Sequence, residues 1–265
     1  MSGVDPQTLV LLCAVAGLAG CVDAIGGGGG LLTVPALMLA GLDPVSAIAT
    51  NKAQGAAGAL SSALAFARAK MVDWRAAAPV ALAAGAASVL GAVSVTHIDR
   101  RELEALAPAL LVAIALYFLL APRLSDKDAQ ARIVPALFAG TIAPLVGFYD
   151  GVFGPGAGSF YMIGFVGLLG YGVLRATAHT KIANAASNLG SLGLYAATGV
   201  VLWPVGLAMA LFAFLGAQVG ARLAMRHGAR LIRPLLVVVA CAMALKLLAD
   251  PGNPLRQAVG ALLAR

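Results

Sequence analysis

Long apolar runs separated by short polar connections dominate the chain. A helix needs about 20 apolar residues to cross the hydrocarbon core of a bilayer, and several runs reach that length, whereas 31–42 is too short. The runs are rich in Ala, Leu and Gly and do not alternate as the strands of a membrane barrel do. The pattern predicts an all-α polytopic membrane protein, with apolar segments near 8–22, 53–67, 76–96, 103–121, 133–149, 159–174, 182–202, 204–221 and 232–249.

Composition supports a membrane protein and argues against an enzyme. Hydrophobic residues make up 61% of the chain and charged residues 11%, and the mean hydropathy is +0.93, far from the soluble average. The net charge of +7 is concentrated in polar connections, where we expect it to contact lipid headgroups rather than nucleic acid. The sequence shows no metal-ligand cluster and no pairing of a nucleophile with a base. We therefore predict no catalysis, cofactor or metal.

One sequence pattern occurs twice. Asp23 precedes the glycines 26–30 and is followed by Lys52 and Trp74, and Asp150 precedes a glycine-rich segment and is followed by Lys181 and Trp203. The lysines and the tryptophans are each 129 residues apart, and the aspartates are 127 apart. A repeated acid, glycine break and lysine predict a transporter built from two related halves.

The basic connections predict the topology. Lys and Arg cluster near 68–75, 123–132 and 222–233, which the positive-inside rule places in the cytoplasm. Counting crossings between them gives each half a glycine-broken re-entrant helix hairpin plus three transmembrane helices. Three full spans per half require the second copy to be inverted. We therefore predict a first repeat at 1–121, a cytoplasmic linker at 122–132 and a second repeat at 133–265, with both termini periplasmic.

The glycine breaks predict an anion site. Five consecutive glycines are a poor helix interior, because each costs about 1 kcal/mol relative to Ala. We expect helices to begin after the breaks, from Leu31 and from Phe160 onward, with free N–H groups and positive dipole ends facing the membrane centre. The alternative is that the glycines only allow close helix packing. The candidate binding residues in the breaks are Gly28, Gly29, Gly30, Gly156, Gly158 and Ser159.

Two lysines lie inside predicted spans, where a charge usually has a partner or a ligand. One interpretation is an electropositive cavity that binds an anionic substrate through Lys52 and Lys181. The other is an ion pair within each half, Lys52 with Asp23 and Lys181 with Asp150. The two interpretations are compatible if the substrate displaces the aspartate. Further candidate binding residues near the lysines are Asn51, Thr180, Asn184 and Asn188.

Three titratable side chains are candidates for proton coupling. Asp23 and Asp150 stand directly before the glycines, where each is either a proton carrier or a cap of the loop. His179 lies inside a predicted span, beside Lys181. Its alternative role is a hydrogen bond to loop backbone.

These motifs resemble the TauE/SafE sulfite-exporter family, also called the 4-toluene sulfonate uptake permeases. In the first half the similar features are the aspartate and glycine loop with Pro35 and Gly41 downstream. In the second half they are the segment 147–159, then 178–181, and Asn184 followed by Ser187 and Asn188. The resemblance covers nearly the whole chain and implies a permease of the bacterial inner membrane. It further implies transport of small sulfur-containing anions, such as sulfite or organosulfonates, without a cofactor.

The function predicted at this point is a secondary transporter of small anions, in which two halves rock about a central site and proton coupling drives the flux. An anion channel, or a carrier of another small carboxylate or oxyanion, is the alternative. A cation carrier using the two aspartates is disfavoured by the paired lysines. The expected partners are the anionic substrate and membrane lipids, and a homo-oligomer is left open.

Overall fold

A computed structural model describes residues 4–95 and 125–228, together with 230, 231, 234 and 238. The regular structure in these ranges is entirely helical, in agreement with the predicted all-α class. The predicted segment 103–121, most of 232–249 and the proposed repeat boundary at 121–122 lie outside the described residues.

Four helices form within residues 4–95, the described part of the first half. They are α1 (Pro6–Gly26), α2 (Gly29–Leu39), α3 (Pro44–Arg68) and α4 (Trp74–Ser94). Three of them begin after an aspartate, whose carboxylate accepts backbone N–H groups of the first turn; these N-caps are Asp5, Asp43 and Asp73.

The second half follows the same order. Helices α5 (Pro135–Gly140) and α6 (Ile142–Val152) together correspond to α1, and α7 (Ala157–Gly167) corresponds to α2. Helices α8 (Val173–Ala197) and α9 (Trp203–His227) correspond to α3 and α4.

The helices after the glycine breaks begin earlier than predicted, at Gly29 rather than Leu31 and at Ala157 rather than Phe160. The preceding residues, Gly28 and Gly156, have φ of 90° and 89°. Glycine adopts this left-handed conformation without a Cβ penalty, so the chain turns there and the next helix starts at once. Both helices contain 11 residues and are about 16 Å long. Each is therefore too short to cross a bilayer, as the re-entrant prediction requires.

Within the described residues, four segments are long and apolar enough to span a membrane: Pro6–Gly26, Trp74–Ser94, Pro135–Val152 and Trp203–His227. Helices α3 and α8 have 25 residues each, about 37 Å of helix, but carry polar side chains along one region. Those side chains are buried in protein, for example Lys52 and Lys181. Burial among other helices is what allows such residues at membrane depth.

The described helices pack as two bundles that do not coincide with the two sequence halves. The first bundle contains α1, α2, α3 and α9, and the second bundle contains α4, α5, α6, α7 and α8. Helix α4 of the first half therefore packs in the second bundle, and helix α9 of the second half packs in the first bundle. The bundles meet mainly where α3 packs against α8.

Equivalent glycines make equivalent contacts in the two bundles. Gly20 on α1 lies against the backbone of Ala213 on α9, and Gly147 on α6 lies in the same way against Ala84 on α4. A side chain at either glycine would collide with the facing carbonyl oxygen. Small residues thus let the helix backbones approach closely, as in membrane proteins generally. The packing of the first half is repeated by the second.

Candidate functional site

A central cavity lies where the two glycine breaks meet. Gly27 of the first break is in contact with Gly158 of the second, and the cavity beside them has a volume of about 30 Å³. That volume corresponds to about two or three water molecules. The polar side chains that line it are Asp23, Asn51, Gln54, Asp150, Asn184 and Asn188, and the glycines are Gly20, Gly28, Gly29, Gly30, Gly55, Gly58, Gly154, Gly156 and Gly158.

The second residue of each short helix lines this cavity and has a backbone N–H for which the described residues provide no acceptor. In α2 the N–H of Gly29 donates to Asp23 and the N–H of Leu31 donates to the Gly28 carbonyl. In α7 the flanking N–H groups donate to carbonyls of the break. The N–H groups of Gly30 and Gly158 find no acceptor within the described ranges. These positions sit at the positive ends of the two helix dipoles.

Two amide side chains add donors next to these glycines. The Asn51 Oδ1 accepts hydrogen bonds from Thr33 and Gln54, so the Asn51 Nδ2 points the other way, toward Gly30. The Asn184 Oδ1 accepts from Asn188, which leaves the Asn184 Nδ2 beside Gly158. A Cβ at Gly30 would lie 3.3 Å from the first amide nitrogen, and one at Gly158 would lie 3.6 Å from the second.

Both intramembrane lysines are paired, but with the opposite half from the one expected. The Lys52 Nζ lies 2.7 Å from the Asp150 Oδ1, and the Lys181 Nζ lies 3.0 Å from the Asp23 Oδ2. The pairing of Lys52 with Asp23 and of Lys181 with Asp150 was therefore wrong. Because α1 and α3 belong to the first bundle and α6 and α8 to the second, both ion pairs cross between bundles.

The lysine ammonium groups lie behind the carboxylates rather than in the cavity wall. Neither lysine lines the cavity, and both side chains are fully buried, whereas Asp23 and Asp150 do line it. Each lysine also donates to the main-chain carbonyl of its aspartate. The four charges sum to zero, so the cavity presents neutral N–H donors and two neutralised carboxylates.

The other predicted binding residues lie around this cavity in different ways. Gly28, Gly29, Gly156 and Asn188 line it. Ser159 is buried next to Gly27, with its N–H donating to Gly156, and does not line the cavity. Thr180 is buried outside the lining, and its hydroxyl has no partner among the described residues.

Sequence reasoning left several lining residues out of the candidate site. Gln54 donates a hydrogen bond to Asn51 and fixes its orientation. It lies three residues after Asn51 on the same helical face, and this spacing could have placed it in the predicted site. Gly20, Gly55 and Gly58 line the cavity because they lack side chains, and no local sequence pattern separates them from packing glycines.

His179 does not line the cavity. It makes a hydrogen bond to loop backbone, which was the alternative to proton coupling. Its Nε2 accepts the N–H of Asp73, in the connection before α4, at 3.3 Å, and its Nδ1 faces the Arg175 carbonyl at 2.9 Å. The equivalent contact in the other half is the Leu202 N–H donating to the Thr50 hydroxyl at 3.0 Å. A histidine and a threonine thus perform the same task, accepting a backbone N–H of the opposite half, and that task needs no proton transfer.

Around His179 lies a polar cluster that holds the linker. Arg175 lies over the Tyr171 ring and pairs with Asp128 at 2.6 Å. The hydrogen bond from the Gly172 N–H, followed by the Arg175 guanidinium, lowers the pKa of Asp128. The described residues contain no group of three His, Cys, Asp or Glu side chains placed to hold a metal ion.

Paired broken helices around a polar cavity in a helical membrane chain define the class: a membrane transporter. The family model described as "Sulfite exporter TauE/SafE" matches residues 12–247. The chain belongs to this TauE/SafE family of membrane transporters.

Relatives that are named as probable membrane transporter proteins align with this chain over nearly their whole length. A "Probable membrane transporter protein ORF9" of Sinorhizobium sp is 52% identical over 248 residues, which cover 94% of this chain and 95% of the relative. The "Probable membrane transporter protein YfcA" of Escherichia coli K12 is 45% identical over 247 residues, 93% of this chain and 92% of the relative. A similar protein of Haemophilus influenzae is 41% identical over 250 residues, 94% and 97% of the two chains. No solved structure matches the chain at a significant level.

Proposed function

We propose that this protein is a secondary transporter of a small oxyanion, with sulfite or a small organosulfonate as substrate, and that it performs no chemical conversion. The observation that carries the proposal is a set of four N–H donors at one cavity for which the described part of the chain provides no acceptor. They are the main-chain groups of Gly30 and Gly158 and the side-chain amides of Asn51 and Asn184.

This donor set fits an oxyanion better than a cation. Hydrogen bonds to a charged group contribute about 1.5–3 kcal/mol each, and the two helix dipoles add attraction for negative charge. The carboxylates that a cation would need are already neutralised by Lys52 and Lys181. A cavity of about 30 Å³ suits a compact ion or the sulfonate group of a larger one.

The repeated packing supports alternating access. The two halves make matching contacts, and the crossing count predicts that they run in opposite directions through the membrane. We propose that the two bundles, rather than the two sequence halves, rock about the α3–α8 contact. In this arrangement the protein lies in the bacterial inner membrane with both termini periplasmic, and a proton accompanies the anion.

The test is anion binding to purified protein with an isosteric variant. Asn184→Asp keeps the acceptor for Asn188 but replaces the donor that faces the cavity with a carboxylate oxygen. Gln130→Glu makes the same chemical change in the exposed linker and is the matched control. Calorimetric titration with sulfite, a small organosulfonate and chloride measures the dissociation constants.

The expected result is saturable binding of a sulfur oxyanion by wild type and by Gln130→Glu, weakened about tenfold or more in Asn184→Asp, which corresponds to the loss of one charged hydrogen bond. If Asn184→Asp binds as tightly as wild type, the donors at this cavity do not hold the anion.

A further inference from the structure

We propose that Asp23 is the carboxylate that binds the coupling proton, while Asp150 stays ionised and holds the two bundles together. This inference rests on the proposed anion site and assigns its proton to one residue. The sequence treats the two aspartates as equivalent, since each precedes a glycine break. Their surroundings in the structure differ.

Asp150 has donors at both carboxylate oxygens. Its Oδ1 accepts from Lys52 at 2.7 Å, and its Oδ2 accepts from the Ser187 hydroxyl and from the Asn188 amide. The side chain is only 2% exposed. Asp150 lines the cavity as Asp23 does, but a proton arriving there would have to displace one of three side-chain donors, so we assign the proton elsewhere.

Asp23 has fewer donors and an open side. One oxygen accepts from Lys181 at 3.0 Å, and the other accepts from the Gly29 N–H at 3.1 Å. Its side chain is 17% exposed and lines the cavity. A proton carried by water in the cavity therefore reaches Asp23 without breaking a side-chain contact other than the lysine pair.

The charges around Asp23 link its proton to the anion. Lys181 faces it from α8, and across the cavity stand Asp150 on α6 and its partner Lys52 on α3. With both pairs intact the site is neutral, and an added anion would give it a net negative charge. A proton on Asp23 leaves the Lys181 charge uncompensated, and an anion beside Asn184, three residues along the same helix, restores neutrality. Anion and proton therefore bind together.

The experiment measures binding of a small organosulfonate, which stays a monoanion throughout, as a function of pH in wild type, Asp23→Asn and Asp150→Asn. Sulfite, which itself takes up a proton near neutral pH, is the second probe. When one proton binds with each anion, the dissociation constant rises roughly tenfold for each pH unit over the range in which the anion-free site has lost that proton. Asp23→Asn keeps an acceptor for Gly29 and leaves Lys181 permanently charged. We expect its affinity to be independent of pH and close to the wild-type value at low pH.

Asp150→Asn tests the assignment of the proton to Asp23 independently, because each variant removes one of the two candidate carboxylates. We expect Asp150→Asn to keep the roughly tenfold change per pH unit, although it unfolds more easily. A pH-dependent Asp23→Asn, or a pH-independent Asp150→Asn, would overturn the assignment and leave the anion site standing.

A second measurement reports the proton directly. Infrared difference spectra of wild type on addition of the organosulfonate should show the stretch of a protonated carboxyl, absent in Asp23→Asn and present in Asp150→Asn. Binding by wild type that does not change with pH would instead refute proton coupling. Absence of binding at every pH, to both probes, would refute the proposed function itself.

Discussion

The pairing of Lys52 with Asp150 across the two bundles makes a strong prediction for stability. Both side chains are almost fully buried, and their charged atoms are 2.7 Å apart. Removing one member of such a pair leaves an uncompensated buried charge and costs about 3–5 kcal/mol. We therefore expect Lys52→Met to lower the free energy of unfolding by about that amount, since Ser187 and Asn188 alone would then face the Asp150 carboxylate.

A double-mutant cycle isolates the contact from other effects of the substitutions. Lys52→Met combined with Asp150→Asn removes both charges together, so the double variant should be more stable than the sum of the single effects by about 2 kcal/mol or more. The matched control combines Lys52→Met with Asp23→Asn, whose carboxylate pairs with Lys181 instead. Its coupling energy should be below about 1 kcal/mol.

Unfolding of the detergent-solubilised protein, followed by circular dichroism during titration with a denaturing detergent, gives the four free energies of each cycle. A strong coupling of Lys52 with Asp23 and a weak one with Asp150 would show that the pairs form within each half, and the ion pairs between the bundles would then be wrong.

Two further substitutions test the packing and the linker. Gly147→Ala should destabilise the protein by about 1–3 kcal/mol, because the new Cβ meets the Ala84 carbonyl. The control is Gly140→Ala, which faces open space and should have little effect. Equal thermal midpoints for the two variants would contradict the close approach of α4 and α6. Asp128 has a lowered folded-state pKa, so its contribution to stability is present above its unfolded pKa of about 3.9 and is lost as the pH falls through the folded value. Asp128→Asn should therefore lower the free energy of unfolding by less than about 1 kcal/mol at neutral pH, since the ion pair with Arg175 is exposed. In strong acid it should not change the stability. A loss of stability that persists in acid would show that the charge of Asp128 is not its cause.

Much of the fold could be predicted from the repeat, and the failures have identifiable causes. Asp23, Asp150, Lys52 and Lys181 mark the two halves, and hydropathy finds α1, α4 and α9. The partner of each lysine could not be predicted, because equal spacing in two copies fits pairing within a half as well as pairing between halves. Only the tertiary contact that brings α3 against α8 shows that each lysine meets the carboxylate of the opposite half.

The residues of the candidate site also fall into those that the sequence could predict and those that it could not. The glycine breaks, Asn51 and Asn184 could be predicted because polar and glycine residues are conspicuous in an apolar chain. Two details depended on tertiary structure. The lysines were expected in the binding cavity, but their long side chains reach past it to the carboxylates. His179 was a candidate for proton coupling by residue type, yet its ring serves a backbone N–H of the opposite half.

The central claim is that a small oxyanion crosses the membrane through the cavity between the glycine breaks. Uptake of radiolabelled sulfite into proteoliposomes preloaded with unlabelled sulfite tests it most directly, with Gly158→Ala and Gly193→Ala as the matched variants. A methyl group at Gly158 would contact Gly27 and the Asn184 amide. Gly193 lies on α8, the helix that carries Asn184, and a methyl group there would have no atom within 4 Å. We expect saturable uptake, stimulated by internal sulfite, in wild type and Gly193→Ala, and its loss in Gly158→Ala. Uptake by Gly158→Ala at the wild-type rate, or no saturable uptake by folded wild type, would contradict it.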